Sequence, residues 1–291
     1  MCIVNIELLM VHNVWYLDGT FKVSPKVFYQ VFTFHILIDD QNLPLIYALL
    51  PNKQQCTYVK LFKMIKNGLS SLPDMINIDF EKAIWNAAEQ VFKADIRGCY
   101  FHLSQSMYRK IGKYGLIAAY SIKNSKVRRY YKYLQTLAFI PSDDVEFAFS
   151  QVKKAAPALF SPMIKYFERY YIGPLKKGSK TIRTEARYPI ATWNVYERTI
   201  NDIPRTNNST EAWHNQFAQA IREHPSSYEL IEEMLLEQKN TEYTHARIRA
   251  HADNSCRFPA AVTKDAKIKK HVGNYNRATI KPWMEDFILF L

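Results

Sequence analysis

Short apolar runs and polar breaks alternate along the first fifty residues in a way that predicts strands. Val14–Leu17 is apolar, Val27–Ile38 is rich in β-branched and aromatic residues, and Leu43–Leu50 follows the polar segment 39–42. Such segments fit a pleated, half-buried surface. We therefore predict an antiparallel meander of three strands, with a four-residue turn between the second and the third strand.

After residue 50 the apolar positions change to the spacing of amphipathic helices. One helix is predicted around residues 58–69 and another around residues 83–92, with the short strand Met75–Ile78 between them. A further strand at 96–101 is followed by a helix from about Leu103. The resulting order, βββαβαβα, predicts an α/β fold with a mixed sheet flanked by helices, and it matches the ribonuclease H-like order.

The remaining chain is predicted to be mostly helical. Residues 104–200 form a mainly helical insertion in a core domain of residues 13–222, and residues 223–291 form a helical, basic C-terminal extension. The segment 141–144, Pro-Ser-Asp-Asp, is typical of a helix start. Residues 173–190 are dense in Lys and Arg and predict a loop.

Composition points to a class of partner for this fold. The chain has 48% hydrophobic residues and 39 Lys and Arg against 27 Asp and Glu, a formal charge of +12. A basic chain attracts polyanions, and Lys and Arg contacts to phosphates dominate nucleic-acid affinity. The alternative for the helical stretch at 126–133 is an amphipathic helix with a basic outer face. The candidate DNA contacts are Lys126, Arg128, Arg129, Lys176, Lys177, Lys180 and Arg183.

Cysteine usage and the absence of certain motifs exclude other classes. Cys2, Cys56, Cys99 and Cys256 are widely spaced without a CxxC pair, which favours a reducing compartment over a disulfide framework. No stretch reaches the roughly 18 apolar residues of a membrane span. The sequence has no GxxxxGK[ST] loop and no GxGxxG, so no nucleotide cofactor is predicted. We expect a soluble, intracellular protein.

Three acidic residues stand where catalytic chemistry is expected. Asp18 and Asp79 each end a predicted strand, and Glu211 follows a stretch, 206–210, that reads as a helix start. Each aspartate taken alone is more typical of a turn or a helix cap. Together, in this element order, they match a site in which carboxylates hold two Mg²⁺ or Mn²⁺ ions for phosphoryl transfer. Asp39 and Asp40 are interpreted as turn residues.

Four short motifs carry a resemblance to a known family. They are DGTFK at 18–22, DFEKA at 79–83, GCYFHLSQ at 98–105 and RTNNSTEAWH at 205–214. In this order they resemble the Mutator-like element (MULE) transposase domain, over roughly residues 13–222. The resemblance implies a ribonuclease H-like fold, cut-and-paste DNA transposition, and a metal-binding catalytic triad of Asp18, Asp79 and Glu211.

Other residues of these motifs have more than one interpretation. Cys99 and His102 match the family's Cys-x-x-His feature beside the active site. Half of a zinc site is one alternative, although His251 and Cys256 are too distant in sequence to pair with them by motif. Otherwise Cys99 packs as a small hydrophobe, and His102 contacts DNA, the carboxylates or a backbone group.

Two residues next to Glu211 complete the candidate list. His214 lies three residues after Glu211 and faces the same way on a helix, toward phosphate or metal, or else it is a surface histidine. Trp213 either stacks on a base or packs in the core.

The sequence therefore predicts a nuclear, DNA-binding transposase domain that works as a homo-oligomer. The alternatives are a domesticated or truncated DNA-binding protein without catalysis, and a nuclease of the same fold that cuts without joining. Asp18 is preceded by only 17 residues. Members of the family commonly carry a DNA-binding region before the catalytic core, so we expect the chain to be a fragment or a transposon-derived remnant.

Overall fold

One five-stranded mixed sheet organises the first hundred residues of the computed structural model, which describes residues 3–179, 181–250 and 259–291. The strands lie in the order β3-β2-β1-β4-β5; β1, β2 and β3 are antiparallel, and β4 and β5 run parallel to β1. The predicted α/β class and the three-stranded meander are confirmed. The strands are β1 (Val14–Thr20), β2 (Gln30–Ile38), β3 (Gln41–Leu50), β4 (Met75–Ile78) and β5 (Asp95–Gly98).

Helices make up most of the remaining described chain. The α-helices are, in chain order, α1 (Ile3–Val11), α2 (Gln55–Asn67), α3 (Lys82–Phe92), α4 (Tyr100–Lys113), α5 (Ile117–Ser121), α6 (Lys126–Thr136), α7 (Val145–Ala155), α8 (Ser161–Phe167), α9 (Ile190–Trp193), α10 (Tyr196–Ile200), α11 (Asn208–Ala220), α12 (Ser227–Arg249), α13 (Pro259–Gly273) and α14 (Ile280–Phe287). Short 3₁₀ turns cover Leu137–Phe139, Ser142–Asp144, Ala158–Phe160 and Arg277–Thr279, and a π turn covers Glu168–Ile172. No described helix combines the length and the apolar character needed to cross a bilayer.

Two predicted limits in the meander are wrong, and both differences bear on the site. Strand β1 does not end at Asp18, because Asp18 pairs with Thr33 and the ladder continues to Thr20. The turn between β2 and β3 has two residues instead of four. Asp39 and Asp40 adopt left-handed φ angles of 49° and 63°, which a short polar side chain tolerates and which a tight hairpin requires.

The predicted boundary between β5 and α4 is also wrong. Strand β5 ends at Gly98 and α4 begins at Tyr100, so the apolar segment 99–101 belongs mainly to the helix. The composition of that segment suits a strand, but Leu103, Met107 and Ile111 bury one face of a helix that starts before them. Helical packing therefore decides the boundary, and local propensity does not.

The chain divides into two compact units. Unit 1 comprises Met1–Cys99 and Thr206–Cys256, and unit 2 comprises Tyr100–Arg205 and Arg257–Leu291. The helical character predicted for 104–200 is confirmed within its described residues. The segment beyond residue 222 is divided, since α12 belongs to unit 1 and α13 and α14 belong to unit 2. The predicted domain limits, 13–222 and 223–291, remain a prediction.

In unit 1 both faces of β2 are covered. Successive side chains of a strand point to opposite faces, so Phe32 and Phe34 lie on one face and Thr33 and His35 on the other. The first pair packs with Phe62 of α2, at ring distances of 6.1 and 5.9 Å. The second pair faces α11, where the His35 ring lies 5.0 Å from that of Trp213. Two buried polar positions of β2 therefore point toward the helix that carries Glu211.

Unit 2 is built around aromatic side chains. Phe167 of α8 stacks on Phe149 of α7 at 5.9 Å and meets Trp193 of α9 edge-on at 5.6 Å. The last helix, α14, joins the same unit, since Phe287 lies 4.8 Å from Phe139. Because of this contact, the C-terminal segment is an integral part of the helical unit.

Gly98 gives a direct test of the packing under the predicted catalytic residue Asp79. A Cβ at position 98 would lie 2.2 Å from Cζ of Phe80, the residue after Asp79, and that ring stacks on Trp85 at 6.1 Å. The alanine variant Gly98→Ala should therefore lower the free energy of unfolding by roughly 1–3 kcal/mol, as overpacking does. Urea denaturation measures the change.

The matched control is Gly112→Ala on an exposed position of α4. A Cβ there would meet nothing within 4 Å, and alanine favours a helix over glycine. This variant should gain about 0.5–1 kcal/mol. Equal effects at the two positions would contradict the packing described around Phe80.

Candidate active site

Asp18 is held inside β1 at the end of its apolar run. Its Oδ1 accepts a hydrogen bond from the Gly19 backbone N–H at 2.8 Å, and its side chain is 16% exposed. A Cβ at position 19 would lie 2.5 Å from Oε1 of Gln30, so glycine at this position avoids a clash with the Gln30 side chain. The predicted alternative, that Asp18 is a turn residue, does not hold, because Asp18 lies within a paired strand.

Asp79 follows β4 directly and falls beside Asp18 by strand register. Tyr16 pairs with Asn77 in the parallel ladder, so two residues further along each strand the two aspartates share one face. The Phe80 N–H donates to Asp79 Oδ1 at 2.5 Å. The predicted alternative for Asp79, a helix cap, does not hold, since Glu81 is the N-cap residue of α3.

Glu211 lies in the first turn of α11, whose start at Asn208 confirms the helix predicted from the segment 206–210. Cys99, the residue after β5, holds the N-cap residue Asn207 through two hydrogen bonds. The Cys99 thiol donates to Asn207 Oδ1, and the Asn207 N–H donates to Cys99 Sγ. Cys99 is fully buried. Within unit 1, Cys99 thus fixes the start of the helix that carries Glu211.

The three predicted catalytic acids act on one another electrostatically. Burial and, to a smaller extent, the charge of Asp79 raise the pKa of Asp18 to about 7, against the opposing effects of the Gly19 hydrogen bond and Lys53. Burial raises the pKa of Glu211 to about 8, with further contributions from Asp18 and Asp79. Among the described residues these three carboxylates do not form a cluster with all ligand oxygens within 4.8 Å. They are nevertheless electrostatically coupled, since Asp79 contributes to the raised pKa of Asp18 and both aspartates to that of Glu211.

One cation stands beside these acids and was not predicted from the sequence. Lys53 pairs with Glu81 at 2.9 Å and lies 4.2 Å from the centre of the Phe21 ring. The Tyr58 hydroxyl donates to the other oxygen of Glu81 at 3.2 Å. Lys53 is the cation that partly offsets the charge of Asp18. Glu81 belongs to the DFEKA motif, whereas Lys53 lies outside all four motifs and has no sequence signal.

His214 is buried and faces Asp18. Its Nε2 lies 3.6 Å from Asp18 Oδ2 and 3.3 Å from Thr33 Oγ1. The single hydroxyl hydrogen of Thr33 goes to the Asp18 backbone carbonyl at 3.2 Å, so Nε2 of His214 is the donor toward Thr33. The interpretation of His214 as a surface histidine is therefore wrong. Its predicted role in supporting the active site remains a prediction, now with a contact to Asp18.

Behind His214 a chain of hydrogen bonds crosses the sheet and returns to α11. The Thr210 hydroxyl donates to Asn42 Oδ1 at 3.1 Å, which turns the Asn42 amide nitrogen toward His35 Nδ1 at 3.0 Å. His35 therefore carries its proton on Nε2 and donates to Thr33 Oγ1 at 2.7 Å. Burial, and secondarily His214, hold the pKa of His35 well below its usual range, so the ring is neutral.

We call this chain the polar relay; its members are Thr210, Asn42, His35, Thr33, His214 and Asp18. Each hydrogen bond of the relay has one consistent donor and acceptor, and the Thr33 hydroxyl makes the bond that reaches Asp18, at its backbone carbonyl. Such consistency is the condition under which a buried polar network stabilises a structure. The relay joins both sides of Glu211 on α11 to the strand that carries Asp18. A sequence signal existed, because Thr33 and His35 interrupt the apolar run of β2 two residues apart and must share a face.

Trp213 is part of the core and does not present its ring to solvent. It stacks on Phe217 at 4.9 Å, and its indole N–H donates to Glu237 at 2.7 Å. The packing interpretation is confirmed for Trp213. His102 lies in α4 of unit 2, and its predicted role beside the active site remains a prediction.

The predicted DNA contacts have different environments. Lys126 and Arg129 on α6 and Lys176 and Lys177 in the loop after Ile172 are exposed, and Arg128 is partly exposed. Lys180 lies outside the described residues.

Arg183 is held by protein groups instead of facing solvent. Its guanidinium donates to Glu146 at 3.0 Å, to Glu168 at 3.1 Å and to the Gly173 carbonyl at 2.6 Å. These acceptors engage guanidinium N–H donors that would otherwise contact phosphate. Arg183 therefore links its own loop to the Gly173 carbonyl and to the two glutamates. Basic composition alone did not distinguish it from its exposed neighbours.

The metal-free protein should lose stability as the pH rises through the range in which Asp18 and Glu211 ionise. Their folded pKa values of about 7 and about 8 exceed the ordinary values of 3.8 and 4.5. Between about pH 4 and about pH 8 the folded state thus binds more protons than the unfolded chain, and the free energy of unfolding falls as pH rises. Urea denaturation in EDTA across this range measures the slope.

The slope should become shallower in the Asp18→Asn variant, because one of the two groups no longer ionises. At the alkaline end, Mg²⁺ or Mn²⁺ should stabilise the wild type more than this variant, since a bound cation offsets the same repulsion. Superimposable pH profiles of the wild type and Asp18→Asn in EDTA would contradict the electrostatic description.

The polar relay should contribute measurably to stability through Thr33. Thr33→Val keeps the shape of the side chain but leaves His35 and His214 without their shared acceptor, at a cost of roughly 1–3 kcal/mol. Thr20→Val, the same change at a partly exposed position of β1, should stay within about 0.5 kcal/mol. Chemical denaturation compares the two, and a Thr33→Val effect no larger than that of Thr20→Val would refute the relay.

Comparison with known proteins identifies the segment that carries this site. The profile of the MULE transposase domain matches residues 14–106, which include Asp18, Asp79, Cys99 and His102 and end before Glu211. The search of curated proteins found no match. The matched segment starts with β1, covers all five strands and ends within α4. Over this segment, which holds the sheet and both aspartates, the chain is therefore similar to the MULE transposase domain.

Proposed function

We propose that this protein is a DNA transposase catalytic domain of the ribonuclease H-like superfamily, with Asp18, Asp79 and Glu211 as its catalytic triad. The observation that carries the proposal is that Asp18 and Glu211 are partly buried at one end of the sheet with raised pKa values, to which the charge of Asp79 contributes in both cases. Proteins seldom bury like charges together unless a cation or a reaction requires it. The match of residues 14–106 to the MULE transposase domain supports the same function.

The sheet supports the ribonuclease H-like assignment. Its order places an antiparallel meander, β1 to β3, beside two parallel strands, β4 and β5, with helices in the crossovers. In this arrangement β1 and β4 are neighbouring parallel strands, so Asp18 and Asp79 lie side by side at the C-terminal end of these strands. The glutamate enters from α11, which packs on the sheet face opposite α2.

The donor set fits two divalent cations, Mg²⁺ or Mn²⁺. Carboxylate oxygens are the preferred ligands of such hard ions, and the raised pKa values of Asp18 and Glu211 reflect negative charge that Lys53 offsets only in part. Asp18, Asp79 and Glu211 would hold the ions. When bound, two ions activate the attacking oxygen and stabilise the leaving oxygen of a phosphoryl transfer.

The proposed reaction has two transfers at phosphorus. In the first, a water oxygen bonds to the phosphorus at a transposon end, the bond from phosphorus to the 3′ oxygen breaks, and that oxygen leaves as a 3′-hydroxyl. In the second, the freed 3′-hydroxyl attacks a phosphate of target DNA, and the 3′ oxygen of the target strand leaves with a proton. His214 and Thr33 hold Asp18 in place during both.

Because the two ends of a transposon are cut together, the proposal includes a homo-oligomer as the working form. It also includes location in the nucleus, where the DNA substrates of a eukaryotic transposase lie. No nucleotide cofactor is part of the scheme, since the first step needs only water and the strand-transfer step conserves the number of phosphodiester bonds.

The decisive experiment is metal-dependent nicking and strand transfer on labelled DNA by the purified protein. Asp79→Asn should reduce both by roughly a hundredfold or more, since metal-held charge stabilisation is worth several kcal/mol. The control is Asp74→Asn, the same substitution at an exposed position before β4, which should keep wild-type rates.

The products distinguish the alternatives. Nicking without strand transfer would indicate a nuclease of the same fold. DNA binding that is indifferent to metal and to Asp79→Asn, with no cleavage, would indicate a DNA-binding protein without catalysis. Equal cleavage by the wild type and Asp79→Asn would disprove the triad.

A further inference from the structure

Two cavities of unit 2 adjoin along α6. One has a volume of about 700 Å³ and the other about 810 Å³, and Arg129, Tyr133 and Glu285 line both. Helix α14, which packs against α6, supplies Glu285, and the 3₁₀ turn before it supplies Arg277. The two cavities therefore form one continuous surface, built from a central helix and the C-terminal segment of the chain.

This surface is strongly basic. We define the basic face by six cations that line it: Lys126, Arg128, Arg129, Lys132, Arg277 and Lys281. Glu285 is the one carboxylate among the described residues that line either cavity. Lys126, Arg129 and Lys281 are exposed, and none of the three is ion-paired within the described chain.

Crowding of like charge is evident at Lys132. Burial lowers the pKa of this lysine, and the neighbouring cations Arg128 and Lys264 lower it further. Its ammonium group donates to the Ile288 carbonyl at 2.9 Å, which fixes its position without neutralising it. Several cations held close together without an equal number of anions favour a polyanionic ligand.

Two cations of the face are held in place by aromatic rings. The Arg277 guanidinium lies 4.7 Å from the Phe147 ring and 3.1 Å from Asp144, and the Arg128 guanidinium lies 5.7 Å from the Tyr120 ring. Contacts of this kind position guanidinium groups before a ligand arrives, so less freedom is lost on binding.

The aromatic rings of the face are occupied within the protein. Tyr130 and Tyr133 pack edge-on at 5.3 Å, and the Tyr130 hydroxyl donates to the Ala155 carbonyl. Single-stranded nucleic acid is typically bound by rings open to base stacking, whereas duplex DNA is bound through cations on its phosphates. The arrangement favours contact with a duplex backbone.

We propose that the basic face of α6 and the C-terminal segment binds the phosphate backbone of duplex DNA without reading its sequence. The inference deepens the proposed function, on which the choice of DNA as the polyanion rests. It assigns a role to Arg277 and Lys281, which lie far from α6 in sequence and join it only in the folded unit.

The test measures binding of a fluorescein-labelled DNA duplex of arbitrary sequence by fluorescence anisotropy. All proteins carry Asp79→Asn and are kept in EDTA, so the result does not depend on whether the proposed catalysis occurs. The variant Lys126→Ala/Arg129→Ala/Lys281→Ala should bind roughly tenfold more weakly or worse at about 0.1 M salt. The slope of log affinity against log salt should fall in magnitude by roughly two to three.

The control, Lys60→Ala/Lys63→Ala/Lys239→Ala, removes the same charge from exposed positions of α2 and α12 and should stay within about twofold. Thermal unfolding checks that both triple variants remain folded, as expected for exposed side chains. Equal affinities and slopes for the two variants would overturn the proposal. Weakened binding of an RNA duplex with unchanged binding of DNA would overturn the assignment to DNA.

Discussion

The burial of like charges at one end of a sheet is the constraint on which the rest of unit 1 depends. Asp18 and Asp79 lie near the ends of neighbouring parallel strands, and Glu211 is presented by α11. The charge of Asp79 raises the cost of ionising Asp18, and both aspartates raise the cost of ionising Glu211. The backbone N–H groups of Gly19 and Phe80 hold the aspartates. Gly98 leaves the space that the ring of Phe80, the residue after Asp79, occupies.

The polar relay explains how a helix far along the chain is held against this site. Thr210 and His214 flank Glu211 on α11, and both connect through hydrogen bonds to β2 and β3 and thence to Asp18. Cys99 fixes the helix start through Asn207. The position of Glu211 therefore depends on satisfied buried polar groups as much as on apolar packing, and such groups specify one geometry because each donor has a single acceptor.

The three candidate catalytic acids and the cations of the basic face belong to different units. Unit 1 holds the acids, and unit 2 holds the basic face, which combines a helix near residue 130 with the last fifteen residues of the chain. The distribution of charge between the two units therefore says more about function than the net charge does. Arg183 illustrates the difference, since its guanidinium is fully engaged by Glu146, Glu168 and Gly173, whereas Arg129 faces solvent.

The sequence by itself determined the α/β class, the strand Met75–Ile78 to the residue and the start of α11, because hydrophobic period and cap residues act locally. It also led to the proposal of the three acids. Only the tertiary structure decided where β1 and β5 end, that His214 faces Asp18, and that Thr33, His35 and Asn42 form a relay. It also joined Arg277 and Lys281 to α6. These features depend on partners distant in sequence, and a local pattern contains no information about which buried polar group, or which cation, another element will meet.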